Sequence, residues 1–352
     1  MKPLVTEMDG RELTSRENAV LEAIVLDFVR SARPVGSGQI AKNYNVDVSS
    51  ATIRNTMSDL EDLGYLSHPH TSAGRLPTDK GYRYYVDILM KSSELSREER
   101  QFIGLQIDPN AQDIEEILRK TSQVLGQLSE EFGIVLTPKF YRGVLEKLEL
   151  VELASDKLLV VINIKSGIVK TVVMEVQHRI PSERLTEVTR MLNERLAGLT
   201  LQEVKQTIDE RFQNSDARDD ELIQLIVDNK DTVFNFADRV TIHTSGAKNI
   251  INQPEMQDPQ KMSHFMELVE EGELFTQLFN ELQMNEDVFI AIGSENKMME
   301  VNEYSIIASA YQYGSVNGTV AILGPTRMYY DKIISLVRMT ANIISEKFDM
   351  QL

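Results

Sequence analysis

The 352-residue sequence contains no cysteine and no tryptophan. Without cysteine there can be no disulfide, no thiolate metal centre and no thiol nucleophile, which suits a reducing cytoplasm. Long hydrophobic runs are missing too. The longest, Leu158 to Ile164, has strand length, far short of the roughly 20 residues a membrane span needs. Met1 to Gly10 lack the apolar segment of a signal peptide, so a cytoplasmic protein is expected. The five histidines are His68, His70, His178, His243 and His264, and none has H-E-x-x-H spacing. There is no G-x-x-x-x-G-K phosphate loop and no G-x-S-x-G elbow. Gly36-Ser37-Gly38-Gln39-Ile40-Ala41 fits G-x-G-x-x-A, but it follows no strand and reads as a turn between helices. With 54 Asp and Glu in the chain, acidic pairs arise by chance and mark no acid–base couple. The sequence therefore predicts neither an enzyme, nor a cofactor, nor a metal.

Positive charge is also in short supply. Against those 54 acids stand 37 Lys and Arg, a net of −17. The deficit is uneven: residues 1–91 hold 11 basic and 12 acidic residues, a net of −1, which leaves −16 for the rest. DNA affinity depends on the local charge facing phosphates, so the near-neutral N-terminal segment can bind while the acidic remainder is repelled. A hydrophobic fraction of 42% with 26% charged residues is that of a globular protein.

The N-terminal segment is rich in punctuation. Thr14-Ser15-Arg16-Glu17 is a capping box, and Leu21, Ile24, Val25 and Phe28 follow on one helix face. Pro34 predicts a stop before it. A second helix is expected from Ser37 through Ile40 to Tyr44, and a polar turn over Asn45 to Ser49. A third follows over Ser50 to Leu63, capped by Ser49, with Ile53, Met57, Leu60 and Leu63 inward and Gly64 at its C′ position. The outer face of the third helix carries Ser50, Thr52, Arg54 and Asn55, side chains able to reach base edges or phosphates. Tyr65 to Thr78 predicts two short strands around a tip of Ser72, Ala73 and Gly74. Arg75, Lys80 and Arg83 supply cations beside it. His68 and His70, separated by Pro69 and without further ligands, suit charging near phosphates better than metal binding.

Farther on, local patterns predict a helix from about Gln112 to Phe132 and strands over Gly133 to Thr137, Leu145 to Glu152, Leu158 to Ile164 and Ile168 to Val176. The strand pair 158–176 turns at Lys165-Ser166-Gly167. A helical block begins at Ser182, with Leu185, Val188, Leu192 and Leu196 on one face. It runs through Leu201 to Val204 and a helix near Asp219 to Val233, and ends in a strand near Val240 to His243. Two helices about Glu271-Gly272, strands over Asp287 to Ile292, Ser305 to Tyr313 and Thr319 to Leu323, and a last helix from Tyr329 complete the chain. Asn317-Gly318 is the hairpin signal between the last two strands. Ser294-Glu295-Asn296 reads as a polar turn in preference to a ligand site. The fold class is α+β, with an antiparallel sheet domain.

Pro34-Val35-Gly36-Ser37, Ser50 to Asn55, Leu60 to Leu66 and His70 to Arg83 together resemble the N-terminal signature of HrcA repressors. Asp287 to Gly293 with Glu295-Asn296, and Leu323 to Tyr330, resemble motifs of the same family. The resemblance implies a winged helix-turn-helix over 1–91, a GAF-like sheet domain over 92–181 and 246–352, and an inserted dimerisation domain over 182–245. It implies a homodimer on double-stranded DNA, at an inverted repeat called CIRCE before chaperone operons, with repression supported by the GroE chaperonin. It maps the reading helix onto Ser50 to Asn55 and the wing onto His68 to Arg75; with the residue reading above, the expected DNA-contacting set is Ser37, Gln39, Ser50, Thr52, Arg54, Asn55, His68, His70, Thr71, Arg75, Lys80 and Arg83. An alternative is a regulator that senses a small molecule through the GAF-like domain. A third reading, a purely structural interaction protein, predicts no sequence preference on DNA.

Overall fold

The structure is a computed structural model that describes residues 11–44, 46, 48–68, 74–107, 114–165, 167–213, 220–234, 241–270, 272–281 and 287–349. The chain forms two units. One comprises Met1–Val135, Ile242–Ala310 and Val320–Ala341; the other comprises Leu136–Thr241, Tyr311–Thr319 and Asn342–Leu352.

The first unit opens with α1 (Ser15–Ser31), α2 (Ser37–Asn43) and α3 (Ser50–Asp62), then a ribbon of β1 (Leu66–Ser67) and β2 (Leu76–Pro77). The capping box forms as its residues require. Glu17 N–H donates to Thr14 Oγ1 at 3.3 Å, and Thr14 N–H donates to the Glu17 carboxylate at 2.7 Å. These reciprocal bonds satisfy two amides that the first helical turn leaves open. Val20, Leu21, Ile24 and Val25 of α1 bury against Ile40 of α2 and Ile53, Met57 and Leu60 of α3. Gly64, at φ +78°, ends α3 as a C′ residue should. Helix α4 (Asp79–Tyr84) follows and passes directly into a π-helical turn, Tyr85–Leu89.

Next come α5 (Arg97–Gln106), α6 (Ile114–Ser129) and β3 (Phe132–Leu136). Phe132, expected at the end of a helix, instead starts the strand. It is buried edge-on against Phe265 at 5.6 Å. The anticipated loop signal Asp108-Pro109-Asn110 lies outside the described residues.

The second unit contains β4 (Leu145–Ala154), β5 (Lys157–Ile164), β6 (Val169–Glu175), α7 (Ser182–Leu196), α8 (Leu201–Gln213), α9 (Glu221–Asp228) and α10 (Lys230–Val233). Its strands form a separate antiparallel sheet of order β4-β5-β6. One face of that sheet and the four helices share a single core, from Leu148, Val160 and Ile162 to Leu185, Val188, Leu192, Leu196, Ile223 and Phe234. This corrects one sequence reading: the strands at 145–175 do not belong to the sheet built by 287–325. The unit that holds them spans Leu136–Thr241 with Tyr311–Thr319 and Asn342–Leu352, where the sequence reading drew an insertion over 182–245. Both sheets contain antiparallel strand pairs, and the apolar pattern of one strand does not say which sheet it joins. At the start of α7 the cap position is Pro181, with Ser182 already the first helical residue.

After the insertion come β7 (Ile242–Ser245), α11 (Ala247–Ile251), α12 (Pro259–Glu270), α13 (Gly272–Glu281), β8 (Phe289–Ile292), β9 (Tyr304–Tyr313), β10 (Val316–Pro325) and α14 (Tyr330–Asp349), of which Tyr311–Thr319 and the part of α14 from Asn342 count with the second unit. The five-stranded sheet has the order β7-β3-β10-β9-β8. The β9–β10 turn is Gly314-Ser315, with Gly314 at φ +57°, whereas Asn317 and Gly318 lie inside β10. The Asn-Gly signal thus falls three residues beyond the real turn. Gly318 serves packing instead. A Cβ there would sit 2.2 Å from the buried Tyr311 ring, so the position must be glycine for that ring to cross it. On α14, Ile333, Val337, Ala341, Ile344 and Phe348 are all buried, as their spacing predicts. Among the described residues no helix is long and apolar enough to cross a membrane.

Candidate nucleic-acid interface

The surface that could meet DNA is built from the start of α3. Ser49 caps this helix, its Oγ accepting from Thr52 N–H at 3.2 Å. Ser37 Oγ, on the first residue of α2, lies 3.1 Å from Ser50 Oγ, on the first residue of α3. That contact pins the two helix starts together. Ser50, Arg54 and Asn55 are exposed and Thr52 is half-buried. Among the described residues Arg54 and Asn55 have no side-chain partner. The first turn of α3 has no carboxylate, while Asp59, Glu61 and Asp62 occupy its second half. The helix is therefore polarised: its N-terminal half, where backbone N–H groups also point outward, is the half that tolerates phosphates.

The remaining residues of the expected set are placed less simply. Gln39 donates its amide to Asp27 at 2.6 Å and is held on α1. At the ribbon, Leu66 faces Pro77 and Ser67 faces Leu76. Val35 and Arg75 exchange both backbone hydrogen bonds at 2.9 Å, which ties the ribbon to the turn before α2. Gly74, at φ +111°, lies against that turn so closely that a Cβ would come within 2.8 Å of Val35 O. Glu61 holds both side chains at the ribbon root, meeting His68 Nδ1 and pairing with Arg75 Nη2 at 2.7 Å. His70 and Thr71, with the tip residues Ser72 and Ala73, lie outside the described residues.

Two predicted phosphate cations are engaged elsewhere. Lys80 donates to the Leu63 carbonyl at 2.9 Å, over the Tyr65 ring at 4.6 Å, and so closes the C-terminus of α3. Arg83 turns toward the five-stranded sheet. Its guanidinium binds the Glu295 carboxylate, the Ile290 carbonyl at 2.9 Å and Asp87 at 3.2 Å. Arg83 is thereby drawn to the sheet side of its own unit, while Lys80 stays exposed with one of its donors spent on Leu63. The polar turn at Ser294-Glu295-Asn296 is a turn, fastened by Asn296 Nδ2 donating to the carbonyls of Gly293, Val301 and Tyr304. No local pattern signals that its first two side chains grip α4.

A buried polar cluster lies in the same unit. Arg327 donates to the Val29 carbonyl near the end of α1 at 3.0 Å, to Glu255 at 2.7 Å and to Gln253 at 2.6 Å. Nearby, Glu131 is 6% exposed, and its Oε2 has no hydrogen-bond partner among the described residues. Burial pushes its carboxyl up to about 8, with Arg327 opposing the shift and Glu255 adding to it. Gly324 makes room for that carboxyl, since a Cβ there would lie 2.7 Å from Oε2. Among the described residues, no group of three or more His, Asp or Glu could hold a metal ion.

Comparison with known proteins places the chain in a family. The family described as HrcA protein C terminal domain matches residues 115–334. A heat-inducible transcription repressor HrcA of Chlorobium phaeobacteroides (strain BS1) is 38% identical over 347 residues, covering 95% of this chain and 98% of the relative. The repressor of the same name from Chlorobaculum parvum is 41% identical over 354 residues, covering 96% of this chain and 98% of the relative. A crystal structure described as that of a hypothetical protein is similar with a TM-score of 0.62 at 26% identity, over 97% of this chain and 100% of the other.

Proposed function

This chain belongs to the HrcA family of heat-inducible transcription repressors, and from that premise we propose how it recognises its operator. Residues 1–91 act as a winged helix-turn-helix, with α3 as the reading helix in the major groove and the β1–β2 ribbon as the wing. The observation that carries this reading is the outer N-terminal half of α3. Ser50, Arg54 and Asn55 stand exposed there beside Thr52, with no carboxylate in the first turn. Arg54 and Asn55 are the base-reading candidates, because their planar forks match purine edges. Ser37, Ser50 and Thr52 are placed to meet the phosphate backbone beside them. His68, His70, Thr71 and Arg75 belong to the wing, where Glu61 sets the position of His68 and Arg75.

One short reading helix gives few base contacts, so useful specificity requires a dimer on an inverted repeat. The dimer contact is assigned to the inserted unit. The face of β4-β5-β6 away from its helices leaves Val151, Val169 and Val173 at 44%, 58% and 55% exposure. Leu159 lies between Val151 and Val173 in the register. A self-complementary apolar strip of this kind suits the two-fold contact of a second copy. Val151→Glu combined with Val173→Glu is expected to leave a folded monomer of 40.0 kDa by sedimentation, with binding to the repeat weakened by about tenfold or more. A double variant that remains dimeric would remove this face from the contact.

The operator is a CIRCE-type inverted repeat before chaperone operons, and the five-stranded sheet is the GAF-like body. GroE supports the active form, so heat-damaged proteins that occupy GroE would lift repression. The test is fluorescence anisotropy with a CIRCE-type duplex and a scrambled duplex across a salt series, with and without GroE. A preference for the repeat of about 10³ or more is expected, with GroE raising the active fraction. Equal binding to both duplexes in both conditions would refute the reading.

A further inference from the structure

We propose that the turn Gly293–Asn296 is a positioning clamp that sets the bearing of the reading helix, and that it thereby determines which half-site spacing the protein accepts. The inference rests on the proposed reading of an inverted repeat by a dimer.

The clamp has two points of attachment within the first unit. At the first, Asp79 Oδ2 accepts from Ser294 N–H at 2.9 Å and from Ser294 Oγ–H at 2.8 Å. One turn on, Arg83 forks onto Glu295 and also reaches the Ile290 carbonyl. Gly293, at φ +53°, is seated so tightly that a Cβ would lie 2.4 Å from the Asp79 carboxyl. At the second, Arg327 holds the Val29 carbonyl of α1 while its other donors are fixed by Glu255 and Gln253. Two separated attachments constrain rotation as well as distance.

The path from the clamp to the reading helix is short. Thr78, the cap of α4, donates its hydroxyl to the Gly64 carbonyl at 2.7 Å. Gly81 packs on the Tyr65 carbonyl with no space for a Cβ, which would approach to 2.3 Å. Gly64 and Tyr65 directly follow α3, and Lys80 closes that end of the helix through Leu63 O. A shift of α4 against Gly293–Asn296 therefore carries α3 with it. A packed chain of this kind moves as a unit, because the contacts leave no slack to absorb a displacement. Asp79, Arg83, Ser294 and Glu295 need touch no base to act in this way. They fix how the reading helix is borne within its own unit, and in a dimer that bearing is felt in the half-site spacing accepted.

The experiment uses the full chain and a panel of inverted repeats whose spacer changes in single base pairs, together with a duplex bearing one half-site. Asp79→Asn with Glu295→Gln removes both carboxylates of the first attachment, and Ser294→Ala removes a single hydroxyl as a milder variant. The wild type is expected to show a sharp optimum of spacer length. In the double variant, preference for the best spacer should fall by about fivefold or more, while single half-site affinity stays within about twofold. Ser294→Ala should shift the profile in the same direction by less. A stabilising role alone would lower affinity on every duplex and leave the spacer profile unchanged, and that result in both variants would overturn the clamp. If the wild type fails to distinguish a repeat from a scrambled duplex, the operator reading fails first and the clamp falls with it. If the wild type reads the repeat and the variants keep its profile, the clamp alone is wrong.

Discussion

Arg54→Ala is expected to weaken binding to the inverted repeat by about 1–3 kcal/mol per half-site, with little change on a scrambled duplex. Both halves of a dimer carry the change, so independent sites would lose about 2–6 kcal/mol in all. The expectation follows from Arg54's position: it is exposed on the first half of α3, without a carboxylate in that turn or an internal partner among the described residues. Asn55→Ala should behave alike. Arg54→Lys separates fork from charge, because lysine keeps the cation but cannot make the bidentate pair; it should lose most of the specific term. Titrations against both duplexes decide the matter. Equal losses on the two would assign Arg54 to a phosphate.

The second large effect concerns pH. Glu131 has its carboxyl raised to about 8 by burial. Below the ordinary carboxylate range, folded and unfolded chains both hold its proton and stability is unaffected. As pH rises from about 4.5, the unfolded chain releases the proton while the folded chain keeps it. Stability then falls with a slope approaching ~1.4 kcal/mol per pH unit. The loss ends once pH passes the folded value. Glu131→Gln carries no charge at any pH and should remove this slope. At pH 8 it should be more stable than wild type, by on the order of 3–5 kcal/mol. Subtracting the variant's unfolding free energy from the wild type's, from pH 5 to 8.5, isolates Glu131 from the other carboxylates. A flat difference would show that Glu131 ionises as an ordinary surface acid does.

What can be read from the sequence follows the range of the interactions. Thr14 and Glu17 are three residues apart, and their reciprocal bonds are local chemistry that a sequence displays directly. The apolar faces of α1, α3, α7 and α14 are equally legible, because helical spacing encodes burial. The hairpin turn shows where local signals fail. Asn317-Gly318 has the residues of a tight turn, but Gly318 is reserved for the Tyr311 ring, a contact no window of sequence displays. Arg83 and Lys80 have the sequence positions of free cations beside a wing. Arg83's partner Glu295 lies 212 residues away, and nothing near Arg83 in sequence announces it. The two sheets read as one for a related reason: a strand's apolar residues report that it is buried, without naming what buries it. Within the candidate site, the α3 residues are legible because a helix start presents them together, whereas the grip of Ser294 and Glu295 on α4 is not.

The insertion also has a consequence for how the chain comes into being. Strand β3 is buried at all five positions, yet its sheet neighbours β7 and β10 are translated only after the whole inserted unit. During synthesis the three N-terminal helices and their ribbon have everything they need to fold. The inserted unit can then build its own core, while β3 waits with an apolar edge uncovered. Such long-range pairing is slow and leaves a nascent chain prone to aggregation. Gly293–Asn296 and Arg327, which hold α4 and the end of α1, are also translated after the insertion. A chain stalled before them would lack the contacts proposed above to set the bearing of α3.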